Sequence, residues 1–369
     1  MKPRSGNGRQ TVMPLLRHDS GAPKQVRPDF GEKQMPYFRT LAMLLAILCS
    51  LGHTAEAWTT FTTEQGLPGN EIQFLKADPS GGVWVGTMAG LAHVKEGKVE
   101  TLLKGVSVYD LLPGAAGEYW VGTSNGLAYL LDGKKTDALK DALIAPVVRY
   151  DAQTLWAIGK DKASEQNTLY SNAGGTWQAV ERFKDEKVVD LVRTHSGKLW
   201  VLVDGNGVYE IDPAKGVGQA VQHLKGRNVN TIAEDGKQHV WAGLWRGGVL
   251  SFDGKTWTPH LEKEKSTVFA IRGDAKDRLW VATNANGLWL LEGGAWTQHL
   301  AGEGAVNMLA TTANGDVWIS TQSTGGLRRF SDGQWKSELE SPLPIRCMLE
   351  TADKKIWAGG VLDGLHVRP

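Results

Sequence analysis

DRLWVATNANGLWLL, residues 277–291, reads as a turn, a strand centred on Trp280, a second turn closed by Gly287 and a second strand. The same phrase returns as GGVWVGTMAGLAHV (81–94), GEYWVGTSNGLAYL (117–130), KLWVLVDGNGVYEI (198–211), HVWAGLWRGGVLSF (239–252), GDVWISTQSTGGLRRF (315–330) and KIWAGGVLDGLHV (355–367). TLWAIG (154–159) is a weaker copy. The key tryptophans, Trp84, Trp120, Trp156, Trp200, Trp241, Trp280, Trp318 and Trp357, are separated by 36, 36, 44, 41, 39, 38 and 39 residues. A period of this length marks a stacked or radial repeat, and the copies are too strand-like for helical hairpins.

A second tryptophan slot follows each Gly-containing turn. Trp257, Trp296 and Trp335 come 16, 16 and 17 residues after their own key tryptophans, and Trp177 fills the same slot. Trp58 occupies it too, with no repeat in front of it, while the chain stops 12 residues after Trp357, before that copy's slot arrives. Apolar residues also recur twelve and nine positions before the key tryptophan: Ile72/Leu75, Val108/Leu111, Val188/Leu191, Val229/Ile232, Val268/Ile271, Val306/Leu309 and Ile345/Met348. The repeat therefore reads as four strands, a to d. Strand a carries the apolar pair, b the key tryptophan, c follows the glycine, and d is the second slot. Both faces of each sheet are apolar, as face-to-face packing around a ring requires. The expected fold is all-β, an eight-bladed β-propeller over residues 58–369, with residues 57–63 lending the last blade its outer strand. Such closure removes two open edges. Blade three lacks the WVGT phrase in its turn, GKDKASEQN (159–167), so a seven-bladed ring is the alternative.

Ahead of the repeats, residues 1–34 are polar and basic and read as a disordered or non-native extension, with Met35 as the initiator. MPYFRTLAMLLAILCSLGHTAEA (35–57) has a basic lead, a short apolar run and a small-x-small end, the order of a secretory signal peptide cleaved after Ala57. The run is shorter than the roughly 20 residues that span a bilayer, so no membrane span is expected in the mature chain. A periplasmic or secreted location follows.

Of 369 residues, 41% are hydrophobic, enough to bury a core. Residues 1–57 hold 8 basic and 4 acidic side chains of the chain's 41 and 40, leaving 33 against 36, a net of −3 for the remainder. That body lacks the basic footprint of a nucleic-acid binder. Two cysteines, Cys49 and Cys347, exclude a disulfide framework, and no zinc pattern is present.

The phrase D-x-x-G-x-hydrophobic-W-V-G-T-x-x-G-L, as in DPSGGVWVGTMAGL (78–91) and AGEYWVGTSNGL (116–127), resembles the regulator-propeller repeat of bacterial two-component sensors. The resemblance implies a propeller sensor or recognition module. Large members of that family continue into a further β-domain, a membrane helix and a kinase, and this chain reads as an exported propeller without them.

The key tryptophans read as inter-blade packing, each burying roughly 150–250 Å². Gly90, Gly126, Gly207, Gly287 and Gly364 read as turn residues of positive φ. His223, His260 and His299 share a slot one blade apart on the outer rim, too far apart to share a metal ion. No Ser/His/Asp order, Gly-x-Ser-x-Gly elbow or HExxH is present, so no catalytic residue is assigned. FDGKTW (252–257) is the one copy suggestive of a quinone-dependent dehydrogenase, and no vicinal cysteine pair accompanies it. No cofactor and no metal are expected.

Binding belongs where copies differ within a common frame. Directly after the first strand-a apolar residue stand Gln73, Tyr109, Asn230, Asn307 and Arg346, with Val189 and Phe269 in the same slot, and the b–c loop of blade five offers Trp245 and Arg246. Amides, arginines and aromatics near one axis suit a small polar or anionic ligand or an envelope protein partner. The expected function is a non-catalytic binding propeller. The alternatives are an envelope assembly scaffold and a propeller lyase or dehydrogenase.

Overall fold

The structure, a computed structural model, describes residues 57–114, 117–162 and 164–369. The proposed extension (1–34) and signal peptide (35–57), with Cys49, Met35 and all but the last residue of that segment, lie outside the described residues.

Eight four-stranded antiparallel sheets follow one another, seven built from successive strands in the order a, b, c, d and the eighth taking its outer strand from the start of the described chain. Their inner strands are Ile72–Ala77, Val108–Pro113, Ala142–Arg149, Val188–Arg193, Val229–Glu234, Val268–Gly273, Val306–Thr311 and Ile345–Glu350. Each inner strand contacts the next and the eighth contacts the first, so the sheets stand as blades round an axis. Blade five shows the unit: Val229–Glu234, Val240–Leu244, Val249–Phe252 and Trp257–His260. Helical structure is confined to four single-turn 3-10 segments among the described residues, and no helix there is long and apolar enough to cross a membrane.

Blade three is complete, with strands Ala142–Arg149, Leu155–Asp161, Asn167–Ser171 and Gln178–Ala179, so the seven-bladed alternative is corrected to eight. Ile144 and Val147 stand twelve and nine residues before Trp156 and are buried like their counterparts. Only the turn phrase has drifted, and the packing positions have not.

The core is divided into slabs, one per blade junction. A typical slab joins Trp280, Ala282, Leu288 and Leu290 of blade six to Val306, Leu309, Val317, Ile319 and Phe330 of blade seven. Key tryptophans are buried in seven blades, and Trp120 is half-buried between blades two and three. No ring of stacking surfaces is left open by them.

The ring closes as the sequence predicts. Thr59–Phe61 pairs antiparallel with Leu365–Arg368, with Thr59 opposite Val367 and Phe61 opposite Leu365. Trp58 Nε1 donates to the carbonyl of Glu338 at 2.7 Å, and the Arg368 guanidinium lies 5.7 Å from the Trp58 ring and 5.1 Å from that of Trp318. The Gly364 amide donates to Asn70 O at 3.0 Å. The seam is thus zipped by backbone, aromatic and ionic contacts together.

Candidate functional site

In seven blades the strand-a residue eleven positions before the key tryptophan falls in a register break, where one extra residue is left unpaired. In blade one the break lies between Ile72 and Phe74, in blade five between Val229 and Thr231, in blade eight between Ile345 and Cys347. Blade three breaks between Ile144 and Val147. A bulge bends the strand and turns the extra side chain out of the ladder. Gln73, Tyr109, Val189, Asn230, Phe269, Asn307 and Arg346 are those bulged residues. They stand at the end of the inner strands entered from the d–a loops, which is also the end that carries the b–c loops.

The b–c loops are braced onto this end. The amide four residues after the key tryptophan donates to the carbonyl thirteen before it in every blade but three, at 2.9–3.2 Å, for example Trp245 N to Asn228 O and Val361 N to Pro344 O. In blade three that pair, Lys160 and Leu143, is absorbed into the strand ladder. Hydrogen bonds repeated from blade to blade hold the face rigid, which suits recognition with little ordering cost.

The predicted site residues share this face without forming one cluster. Arg346 donates to Gln73 Oε1 at 2.5 Å and to Glu71 Oε1 at 3.1 Å, joining blades eight and one. Asn230 Nδ2 donates to Val268 O at 2.9 Å, so its amide ties blade five to blade six. Trp245 and Arg246 lie on blade five, three blades from Arg346, and Arg246 sits in a left-handed turn at φ 59°. Tyr109 and Asn307 are half-buried on blades two and seven.

Charged groups on the inner strands were not singled out from sequence. Asp110 receives Val147 N at 2.8 Å and Lys76 Nζ at 3.3 Å, linking blades one, two and three. Burial pushes the Asp190 carboxyl up to about 6, the Leu191 amide opposes the rise and Asp110 adds to it. Burial likewise lowers Arg272 and pushes the Cys347 thiol up to about 12, which leaves a thiol of little reactivity. Asp110 and Asp190 share the slot ten before the key tryptophan, and that common offset was the available signal.

The three slot histidines are packing residues at blade junctions. His223 stacks 5.4 Å from Trp200 of its own blade and accepts from Trp257 Nε1 of the next at 3.3 Å. His299 does the same between Trp280 and Trp335. His260 lies 2.9 Å from Ser251 Oγ, the counterpart of the His223–Glu210 pair, and stacks against Trp241 and Trp296. A serine–histidine contact in that slot is a cross-strand tie. Among the described residues no group of three His, Cys, Asp or Glu side chains is placed to hold a metal ion.

No family model matches the chain, and no curated protein matches it. Solved structures do. A Dos1 propeller aligns with TM-score 0.60 and 12% identity over 85% of this chain and 93% of that one. A streptogramin B lyase aligns with TM-score 0.54 and 11% identity over 84% and 96%. The extracellular domain of a one component system, BT4673 from B. thetaiotaomicron, aligns with TM-score 0.50 and 14% identity over 82% and 51%. The chain spans about half the length of the extracellular sensor domains it matches. At these identities the likenesses show the fold alone, a β-propeller.

Proposed function

We propose that the chain is an exported, non-catalytic recognition propeller that binds a small polar ligand or an envelope protein partner on the face of the d–a and b–c loops. One observation carries this reading. Of the large apolar side chains left exposed among the described residues, Met88, Val189, Trp245, Phe269 and Leu362 all lie on that face, while only Leu131 and Val221 lie elsewhere. Scattered apolar residues on a surface need no explanation, but their concentration on one end of a rigid ring favours contact with a partner. The rigid bracing of the b–c loops supports the same reading, as does the sensor-type repeat. The leader-like segment 35–57 supports export. Fold alone does not separate binding from lyase chemistry, and the leading reading rests on the exposed face.

A photo-crosslinking residue placed in turn at Trp245, Phe269 and Leu362, and at Lys134 and Lys276 on the opposite end, tests it in cells. Adducts are expected from the first three positions only. Adducts from both sets alike, or from neither, would remove the reading. Export has its own test: N-terminal sequencing of the mature protein is expected to start at Trp58.

A further inference from the structure

The recognition face is divided by charge. Lys225 and Arg227 precede the inner strand of blade five, Arg246 follows Trp245, and Lys263 and Lys265 precede the inner strand of blade six; all five are exposed. None forms an ion pair among the described residues, and Lys265 reaches only the Glu262 carbonyl at 3.4 Å. Glu264, between the two lysines, is turned inward and is 5% exposed. Its carboxylate accepts from Ser266 N at 2.7 Å, Asn286 Nδ2 at 2.9 Å and Trp289 Nε1 at 3.0 Å. Of the loop's two acids, Glu264 anchors it from within and Glu262 stands exposed beside Lys263, which leaves these loops with five cations against one exposed carboxylate.

These cations surround apolar surface. The Trp245 amide is fixed to Asn228 O, beside Arg227, and the Asn230 side chain clamps Val268, beside Phe269. Trp245 is 56% exposed and Phe269 51%. Across the ring, blades one, seven and eight present Glu71, Glu303, Glu340 and Asp363, and the arginines there are already paired: Arg346 with Glu71, Arg328 with Glu303.

We infer that blades five and six of this face take an acidic polypeptide segment bearing aromatic or aliphatic side chains, which pack on Trp245 and Phe269 while its carboxylates meet Arg227, Arg246 and the lysines. The inference rests on the recognition-face reading and gives its partner a chemistry. A segment of about six extended residues reaches roughly 20 Å and lies over two blades without meeting the acidic side. An anionic bilayer is a plane, and docking it on this face brings it against the carboxylates of blades seven, eight and one. The charge division therefore favours a polypeptide over a membrane.

Fluorescence anisotropy on the full chain tests the assignment, using a short fluorescein-labelled Glu-Phe repeat peptide, its Lys-Phe counterpart and a Glu-Gly counterpart. Glu-Phe is expected to bind, more weakly as salt rises, and the other two not to bind. Arg227→Glu with Arg246→Glu, and separately Trp245→Ala, are each expected to weaken Glu-Phe by about tenfold or more. Lys134→Glu, on the opposite end, leaves it unchanged. Circular dichroism checks each variant's fold, and Lys263→Glu with Lys265→Glu delivers the same charge change from the other loop if the arginine pair unfolds. Equal binding by the charge-reversed variants, or preference for Lys-Phe, overturns the assignment. So does failure of Glu-Phe together with Arg246-dependent sedimentation on phosphatidylglycerol vesicles, which would move the surface to a membrane. If crosslinks place a partner on this face but Glu-Phe is not bound, the acidic assignment falls and the recognition reading stands. Crosslinks confined to the opposite end remove both.

Discussion

Six residues ahead of the key tryptophan, at the a–b turn, stands a position that accepts the indole N–H in only some blades: blade two has Gly114 there, and Asp78 of blade one pairs with His93 while the Trp84 N–H has no partner. Asp235 and Asp274 accept it at 2.8 and 2.7 Å, and Thr351 accepts from Trp357 at 3.2 Å. In blade three Tyr150 takes the position and stacks on Trp156 instead, centroids 4.4 Å apart. Thr194 and Thr312 turn elsewhere, and the N–H groups of Trp200 and Trp318 have no partner. Asp274 carries the most, since it also holds Arg278 at 2.7 Å with both side chains buried. Asp274→Ala leaves that guanidinium buried and unpaired and is expected to cost about 3 kcal/mol in chemical denaturation. Thr351→Val removes the bond from Trp357 together with the hydroxyl's contacts to the Asp353 carboxylate and Lys355 O, and is expected to cost about 2 kcal/mol. Asp190 gives a pH test. Its folded-state pKa is raised to about 6 from the ordinary 3.8 of an aspartate, so between those values the native state holds a proton that the unfolded chain has released. Stability therefore falls as pH rises through that window, and the full penalty is present above about 6. Asp190→Asn keeps the bond from Leu191 N without the charge. It is expected to gain on the order of 2 kcal/mol over the parent at pH 7 and nothing below pH 4, read as denaturation midpoints across pH. A constant difference at all pH values would rule out titration as the cause.

At the scale of the element, the inner strand explains a pattern that the sequence displayed without its meaning being drawn from it. Apolar residues at twelve and nine before the tryptophan are three apart, and in a regular strand residues three apart point to opposite faces. Both nevertheless enter the same slab: Ile72 and Leu75 pack together between blades eight and one. The register break reconciles them, for Ile72 pairs with Thr87 and Leu75 with Val85, two residues apart on the same face. The odd spacing was the signature of a bulge, legible from the pairs alone. Which bulged side chains would be free was not legible, because Asn230 and Arg346 find their partners on neighbouring blades, through contacts no local pattern encodes. The glycine that closes the b–c turn was readable, and Gly287 shows why. It sits at φ 68°, and a Cβ there would lie 2.4 Å from Leu300 O and 2.7 Å from His299 O, the end of the outer strand. Gly287→Ala must strain both the turn and the c–d pairing, an expected loss of about 2 kcal/mol. Gly293→Ala, in a c–d turn with nothing near its Cβ, meets only the backbone cost at φ 58°. The two melts, run side by side, separate crowding from dihedral strain, and equal losses would show that the close approach to the outer strand is not what fixes Gly287.

For the whole molecule, blade three and the seam show how far a repeat can be read. Blade three was obscure because its turn phrase is lost, yet its packing offsets persist, and it is packing between neighbours that makes a blade. The seam was clear because a strand slot was absent at one end of the repeat array and present at the other. Closing the ring by Thr59–Phe61 covers Leu365, which is fully buried, and completes the slab that holds Phe61 and Val367. It also seats Trp58 over Arg368, whose guanidinium is held by Glu338, as is that of Arg329. A chain beginning at Thr62 would leave the outer edge of Leu365–Arg368 unpaired, and an open edge of that kind invites pairing with another copy. Losing one buried aromatic, one indole hydrogen bond and a short ladder amounts to about 5 kcal/mol, which for a domain of this size lowers the melting midpoint on the order of 10 °C. The truncated protein is also expected to self-associate on sizing columns. Supplying a synthetic peptide of residues 57–66 should restore both the midpoint and the elution volume of the full chain, while the same peptide with Trp58→Ala and Phe61→Asp should restore neither. If the truncated chain melts as the full chain does, or if the doubly substituted peptide rescues it equally, the pairing at the seam is not what keeps the ring shut, and the rigidity on which the recognition face depends must be sought within single blades.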